Sequence, residues 1–195
     1  WSLSADLAKP SASNDKTKAT EEAEDAPSKK KVKKADAHSQ DNIQPVTAAL
    51  TVQGAKKALE WYGKAFQAKV DVQYPSGVGD KLMHSVMDIK GQKVFVVDSF
   101  PEWETDITSP TELAGGKVHT QMNLHYNSVD ELDAAFKLAV DLGATVNMAL
   151  KDMFWGARFG KIKDPFGHIW TFSAGISAER TAAAEKWDPT KKHNF

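Results

Sequence analysis

The order of apolar residues in this chain occurs twice, and that duplication limits what it can fold into. VTAALTV (46–52) alternates as a strand does. GAKKALEWYGKAFQA then sets Ala55, Ala58, Leu59, Tyr62 and Phe66 at i, i+3, i+4 spacing, one apolar stripe of a helix. Three more strand-like runs follow, KVDVQY, KLMHSVMDI and KVFVVDSF, the last two joined by the turn IKGQK. The same order returns with HTQMNLHY, a second stripe of Val129, Leu132, Phe136, Ala139 and Val140 ended by Gly143, and the strands TVNMALKDM, ARFGKIKD and GHIWTFSA. Ser128 and Glu131 have the spacing of a capping box before the second helix. A shift of about 74 residues lays LTVQG (Leu50–Gly54) on LHYNS (Leu124–Ser128), Tyr62 on Phe136, VFVVDS on HIWTFS and His84 on Arg158. The expected architecture is two βαβββ modules of α+β class.

The flanks differ in character. Residues 1–42 are rich in Ser, Ala, Lys and acids, with EEAED (Glu21–Asp25) and KKKVKK (Lys29–Lys34), and have too little apolar surface to offset the entropy of ordering. A disordered charged tail is expected there, its basic run serving as an import signal, a docking strip or a solvated charge run. The folded unit is expected over 45–175, with modules at about 45–100 and 118–175. Residues 176–195 form an extension in which ISAERTAAAEKW makes a short helix, capped by Ser177 and stopped by Pro189.

Composition removes several classes of function. With 0 Cys there is no disulfide framework, thiolate metal site or cysteine nucleophile. A net charge of -1 gives no global basic field, so no nucleic-acid partner is expected. No apolar run approaches the roughly 20 residues of a membrane-spanning helix, so a soluble protein without a transmembrane segment is expected. The first residue is Trp1 and not Met, as expected of a processed product, a trimmed chain or a partial sequence, and the compartment stays open between cytoplasm and an organelle reached by a removed targeting segment. Phosphate-binding loops, GxSxG elbows and HExxH pairs are absent from the sequence.

LTVQGAKKALEWYGKAF, VVDSFPE and above all DMFWGARFGKIKDPFGHIW, set in paired βαβββ units, resemble the vicinal oxygen chelate superfamily, which includes glyoxalases, bleomycin-resistance proteins and extradiol dioxygenases; the likeness is greatest to its PhnB-like branch and covers about Pro45 to Ala174. The resemblance implies tandem modules forming a curved mixed sheet with two packed helices, the strands curling into a cup. It also implies, in metal-dependent members, one ligand from the first and last strand of each module. Carried over, those positions fall at Thr47, Val97, Gln121 and Thr171. Thr and Val cannot supply a carboxylate or imidazole, and Asp98 nearby is insufficient alone, so no metal and no other cofactor is expected.

Strand alternation puts Leu50, Val52, Met122, Leu124 and Tyr126 under the helices and leaves Thr47, Ala49, Thr51, Gln121, Asn123 and His125 on the other face. Gln121, Asn123 and His125 in alternation suit hydrogen bonding to a polar ligand, or else a face that meets solvent or a dimer seam. His125 is a residue type that moves protons near neutral pH. Arg158 has the planar fork that clamps a carboxylate or phosphate, and equally the means to make a structural salt bridge. Trp170 and Phe172 are expected in the core, while Phe154 and Trp155, ahead of Gly156, are expected at the cavity mouth. His119 and His168 are assigned no role.

The expected function is binding of a small polar or aromatic molecule by Gln121, Asn123, His125, Phe154, Trp155 and Arg158, without the usual metal ligands. Two alternatives stand beside it: an accessory or scaffold subunit of a larger assembly using its tails, and a glyoxalase-type lyase or isomerase. The resemblance further implies a homodimer if the protein acts alone.

Overall fold

The computed structural model describes residues 44–103, 106–186, 188 and 190. The charged tail and the Pro189 stop lie outside the described residues. The first module runs β1 (Ala48–Val52), α1 (Ala55–Phe66), β2 (Lys69–Pro75), β3 (Leu82–Ile89) and β4 (Gln92–Asp98). The second runs β5 (Gln121–Tyr126), α2 (Val129–Asp141), β6 (Thr145–Met153), β7 (Ala157–Lys163) and β8 (Ile169–Gly175), followed by α3 (Ala178–Ala183). Each module folds its strands into one four-stranded mixed sheet, ordered β1-β4-β3-β2 and β5-β8-β7-β6. The first strand of each pairs with the last in parallel, and the remaining pairs are antiparallel. The duplication expected from the sequence is therefore present in the topology.

The stripe expected on α1 is buried in full, and that on α2 at its centre, with Val129 and Val140 half-buried at its ends. Ala55, Ala58, Leu59, Tyr62 and Phe66 of α1 are buried, joined by Trp61 and Ala65, while α2 buries Leu132, Phe136 and Ala139. The two modules share one core. The Phe66 ring lies 4.7 Å from that of Trp170 and 6.0 Å from that of Phe172, and Phe136 meets Phe172 from α2 at 5.3 Å. Trp170 and Phe172 are fully buried, as expected. Trp61 Nε1 donates to the Leu142 carbonyl at 2.8 Å, tying α1 to the end of α2.

The helix starts use different chemistry. Gly54 precedes α1 at φ 83° and offers no side chain, so Asp98 does the capping from β4. Its Oδ1 accepts from the Gly54 and Ala55 amides at 2.7 and 3.0 Å, and Oδ2 from Leu82 at 2.7 Å. At α2 only the Ser128 half of the expected capping box forms, its side chain accepting from the Glu131 amide at 3.2 Å. Ser177 caps α3 through the Arg180 amide at 3.3 Å, as expected. A complete box forms where none was expected, at Ser109 and Glu112 around a short 3-10 turn.

The repeat shift is not constant, which corrects the residue pairing. With β1 on β5 at the 74-residue shift, Ala49 corresponds to Asn123; their cross-strand partners are Phe95 and Thr171. Phe95, two positions before Val97, is thus the counterpart of Thr171. The third strands slip by one: Val86 pairs with Phe95, Ser173 with Phe159 and Thr171 with Lys161, which makes Phe159 and not Arg158 the counterpart of His84. The cause is the connection. Lys90 and Gly91 alone turn β3 into β4, both at positive φ as a two-residue hairpin requires, whereas residues 164–168 separate β7 from β8. An odd slip along a strand carries a side chain to the opposite face.

Candidate functional site

The DPFGH segment joins the modules. Asp164 is buried, and its Oδ1 accepts from the Phe166 and His168 amides, both at 2.9 Å. Its Oδ2 accepts from the Tyr62 hydroxyl at 2.7 Å and Trp170 Nε1 at 2.8 Å. His168, given no role from sequence, places Nε2 3.0 Å from the Thr51 carbonyl of β1. Burial first, and then the negative charge of Asp164, push the Tyr62 phenol well above its ordinary pKa, so it stays a proton donor throughout the physiological range. This cluster is architecture: every polar atom of the Asp164 carboxylate is engaged by the protein itself.

The face turned away from the helices presents three cross-strand rows in the second module. Ile169 stands opposite both Gln121 and Lys163, Thr171 opposite Asn123 and Lys161, and Ser173 opposite His125 and Phe159. Residues directly opposite share a face, so Gln121, Asn123 and His125 lie together there with Lys161, Lys163 and Phe159. All three of the expected polar residues are exposed.

Asn123, His125 and Ser173 close a hydrogen-bonded ring. Ser173 Oγ donates to Asn123 Oδ1 at 3.3 Å and sits 2.8 Å from His125 Nδ1, while Asn123 Nδ2 sits 3.1 Å from His125 Nε2. The single hydroxyl proton is used on Asn123, which leaves Oγ to accept from His125 Nδ1–H and Nε2 to accept from the Asn123 amide. Each of the three contacts in the ring then joins one donor to one acceptor. The ring fixes three side chains as one polar platform and occupies both histidine nitrogens. Ser173 went unnoticed in the sequence because a lone serine in a strand carries no signal until the β5–β8 register places it beside His125.

Aromatic residues border the platform. Trp155 and Phe154, in the turn between β6 and β7, are 46% and 41% exposed. Trp155 meets Phe154 edge-on at 4.9 Å and Phe159 at 5.9 Å, so it continues the row that runs from His125 through Ser173 to Phe159. Arg158 is not brought to this face. It pairs across β7–β8 with Ala174, on the helix side, where Nε reaches Asp133 of α2 at 2.6 Å and Nη1 reaches Asp152 at 3.3 Å. Asp152 also accepts from Arg180 of α3 at 2.7 and 2.8 Å. The guanidinium is a structural tie, the other role its chemistry allows.

The four positions that the resemblance assigns to metal ligands hold Thr47, Phe95, Gln121 and Thr171 once the register is corrected. Thr171 is buried, its hydroxyl donating to the Met122 carbonyl at 3.2 Å. Asp98 faces the helices and is consumed by three amides. The donor set holds one amide and no carboxylate or imidazole, and does not fit a divalent cation of this kind. Among the described residues, no three His, Asp or Glu side chains converge on a point able to hold a metal ion. Nor is any described helix long and apolar enough to cross a membrane.

Comparison with known proteins agrees with this architecture. The family model for the glyoxalase/bleomycin resistance protein/dioxygenase superfamily matches residues 43–172. An uncharacterized protein of Mycobacterium bovis is 37% identical over 137 residues, covering 69% of this chain and 86% of its own length. An uncharacterized Mycobacterium tuberculosis protein matches at the same identity over 77% of its length. Among solved structures, the PhnB protein of Bacillus cereus superposes with TM-score 0.54 at 18% identity, covering 68% of this chain and 100% of that one. The fosfomycin resistance protein FosX of Listeria monocytogenes superposes with TM-score 0.50 at 14% identity, over 71% and 97%. This chain belongs to the glyoxalase/bleomycin resistance protein/dioxygenase superfamily and has its PhnB-like fold.

Proposed function

We propose that the protein binds a small molecule with polar and aromatic parts on the outer face of its second module, with Asn123, His125, Trp155 and Phe159 as principal contacts and Gln121 and Phe154 at the margin. The observation carrying this reading is the row His125–Ser173–Phe159, extended by Trp155, in which a self-satisfied polar ring lies next to exposed aromatic surface. Binding sites combine apolar area with a few fixed polar groups in this way. The ring argues for binding ahead of proton transfer, since both His125 nitrogens already have partners. A glyoxalase-type reaction has less support, because the expected ligand positions lack carboxylate and imidazole.

A thermal-shift screen with a broad metabolite panel, followed by amide chemical-shift mapping, tests the proposal. A saturable stabilisation with perturbations centred on residues 121–125 and 155–159 is expected. A panel that neither raises the melting temperature nor perturbs those residues removes it. The homodimer implied by family resemblance is proposed along with it, and native mass spectrometry showing a monomer at micromolar concentration would exclude it.

A further inference from the structure

Lysines on the two outer faces are treated differently. In the first module, Lys93 is neutralised twice, by Asp71 at 2.7 Å and Asp88 at 2.9 Å. In the second, the strand register puts Lys161 and Lys163 of β7 on the outer face, with Lys151 of β6 opposite Phe159. None of the strand residues on that face is Asp or Glu; Asp152, the one acid in these strands, pairs with Arg158 on the helix side. Lys163 points its ammonium at the Gly116 carbonyl, 3.4 Å away. Lys161 is half-buried and makes no ion pair among the described residues. The two lysines are two residues apart on one strand, about 7 Å along its backbone, and none of the strand residues sharing their face offsets the two like charges.

We propose that the molecule bound by the second module is an aromatic acid, its anionic group held by Lys161 beside Asn123 and its ring lying over Phe159 against Trp155. This rests on the binding face proposed above and narrows its ligand class. The geometry sets a length as well as a charge. The row with Lys161 and Asn123 is one step of the pleat from the row with Phe159 and His125, about 7 Å away, so the anion and ring centre should be separated by roughly that distance. A carboxylate joined to a phenyl ring by a two-carbon linker has this reach. Ion pairing with a half-buried ammonium then adds to aromatic contact, and both depend on one strand, β7.

Three isosteric probes test the charge: 3-phenylpropionate, 3-phenylpropanol and 3-phenylpropylammonium, titrated against the full chain with amide and tryptophan indole resonances as the readout. The expected result is saturable perturbation near residues 123–125 and 155–161 by the carboxylate, with at least tenfold weaker binding of the alcohol and the ammonium. Lys161→Met should weaken carboxylate binding about tenfold, and Lys161→Arg should restore most of it. Equal binding of all three probes at these residues, unaffected by Lys161→Met, overturns the anion assignment and leaves small-molecule binding intact. If no probe perturbs these residues at millimolar concentration, the aromatic-acid assignment falls, while the broad metabolite panel decides separately whether the face binds a small molecule. The Lys161 side chain lies off the core, and unchanged amide spectra of the unliganded variants establish that they fold.

Discussion

The Tyr62 hydroxyl donates to Asp164 Oδ2 at 2.7 Å across 102 residues of sequence, joining the first helix to the DPFGH segment of the other module. Trp170 Nε1 shares that oxygen at 2.8 Å. Removing the hydroxyl deletes a buried hydrogen bond to a charged acceptor, a loss of about 1.5–3 kcal/mol. Tyr62→Phe should therefore lower the urea midpoint without altering the slope of the transition. Asp164→Ala should cost more, because it strands Tyr62, Trp170 and two amides together. Equal losses for both variants would mean that the carboxylate does not organise the junction.

Gly167 closes the same segment at φ +92°, and a Cβ there would lie 2.8 Å from Pro110 Cβ. Gly91, in the β3–β4 hairpin at φ +83°, has nothing within 4 Å of the same position. Both alanine variants incur the backbone strain of a left-handed conformation, about 1 kcal/mol each. Only Gly167→Ala adds a collision with the Pro110 turn, so it should be the less stable of the two by about another 1–2 kcal/mol in equilibrium unfolding. Similar values for the pair would show that the 3-10 turn yields freely.

These details explain what could be read in the sequence and what could not. Helix stripes and strand alternation were legible, because burial of Tyr62, Phe66, Trp170 and Phe172 follows from a period that each segment carries by itself. Across strands, the pairing was not. The turn at Lys90–Gly91 and the five-residue connection 164–168 differ in length, and the resulting slip sends Arg158 to the helix side and brings Phe159 outward. Gln121, Asn123 and His125 were recognisable as one face because they share a strand. Ser173 and Lys161 join them only through hydrogen-bond register, a long-range property that no local pattern encodes.

Asp152 gives a pH prediction with a definite sign. The hydrogen bond from Arg180, and next that from Arg158, hold its carboxyl below the ordinary aspartate range. A group depressed on folding contributes stability above its unfolded value, about 3.9, and loses it as pH falls from there through the folded value. Asp152→Asn should thus have a lower denaturation midpoint than the parent at pH 7, with the gap closing below about pH 4. A gap that persists at pH 2 would show that shape, not charge, holds α3 against β6.

Trp155 and Phe172 separate binding from folding. Phe172 is fully buried among Phe66, Tyr126 and Phe136, so Phe172→Ala should cost about 3–5 kcal/mol, as large-to-small core changes do. Trp155, 46% exposed in a turn, meets Phe154 and Phe159 edge-on at the surface, so Trp155→Ala should stay within about 1 kcal/mol of the parent. If the outer face binds an aromatic ring, the same Trp155→Ala change should weaken that binding roughly tenfold while the melting temperature of the unliganded protein barely moves. A large loss of stability with unchanged affinity would make Trp155 a packing residue and leave Phe159 alone to contact the ring.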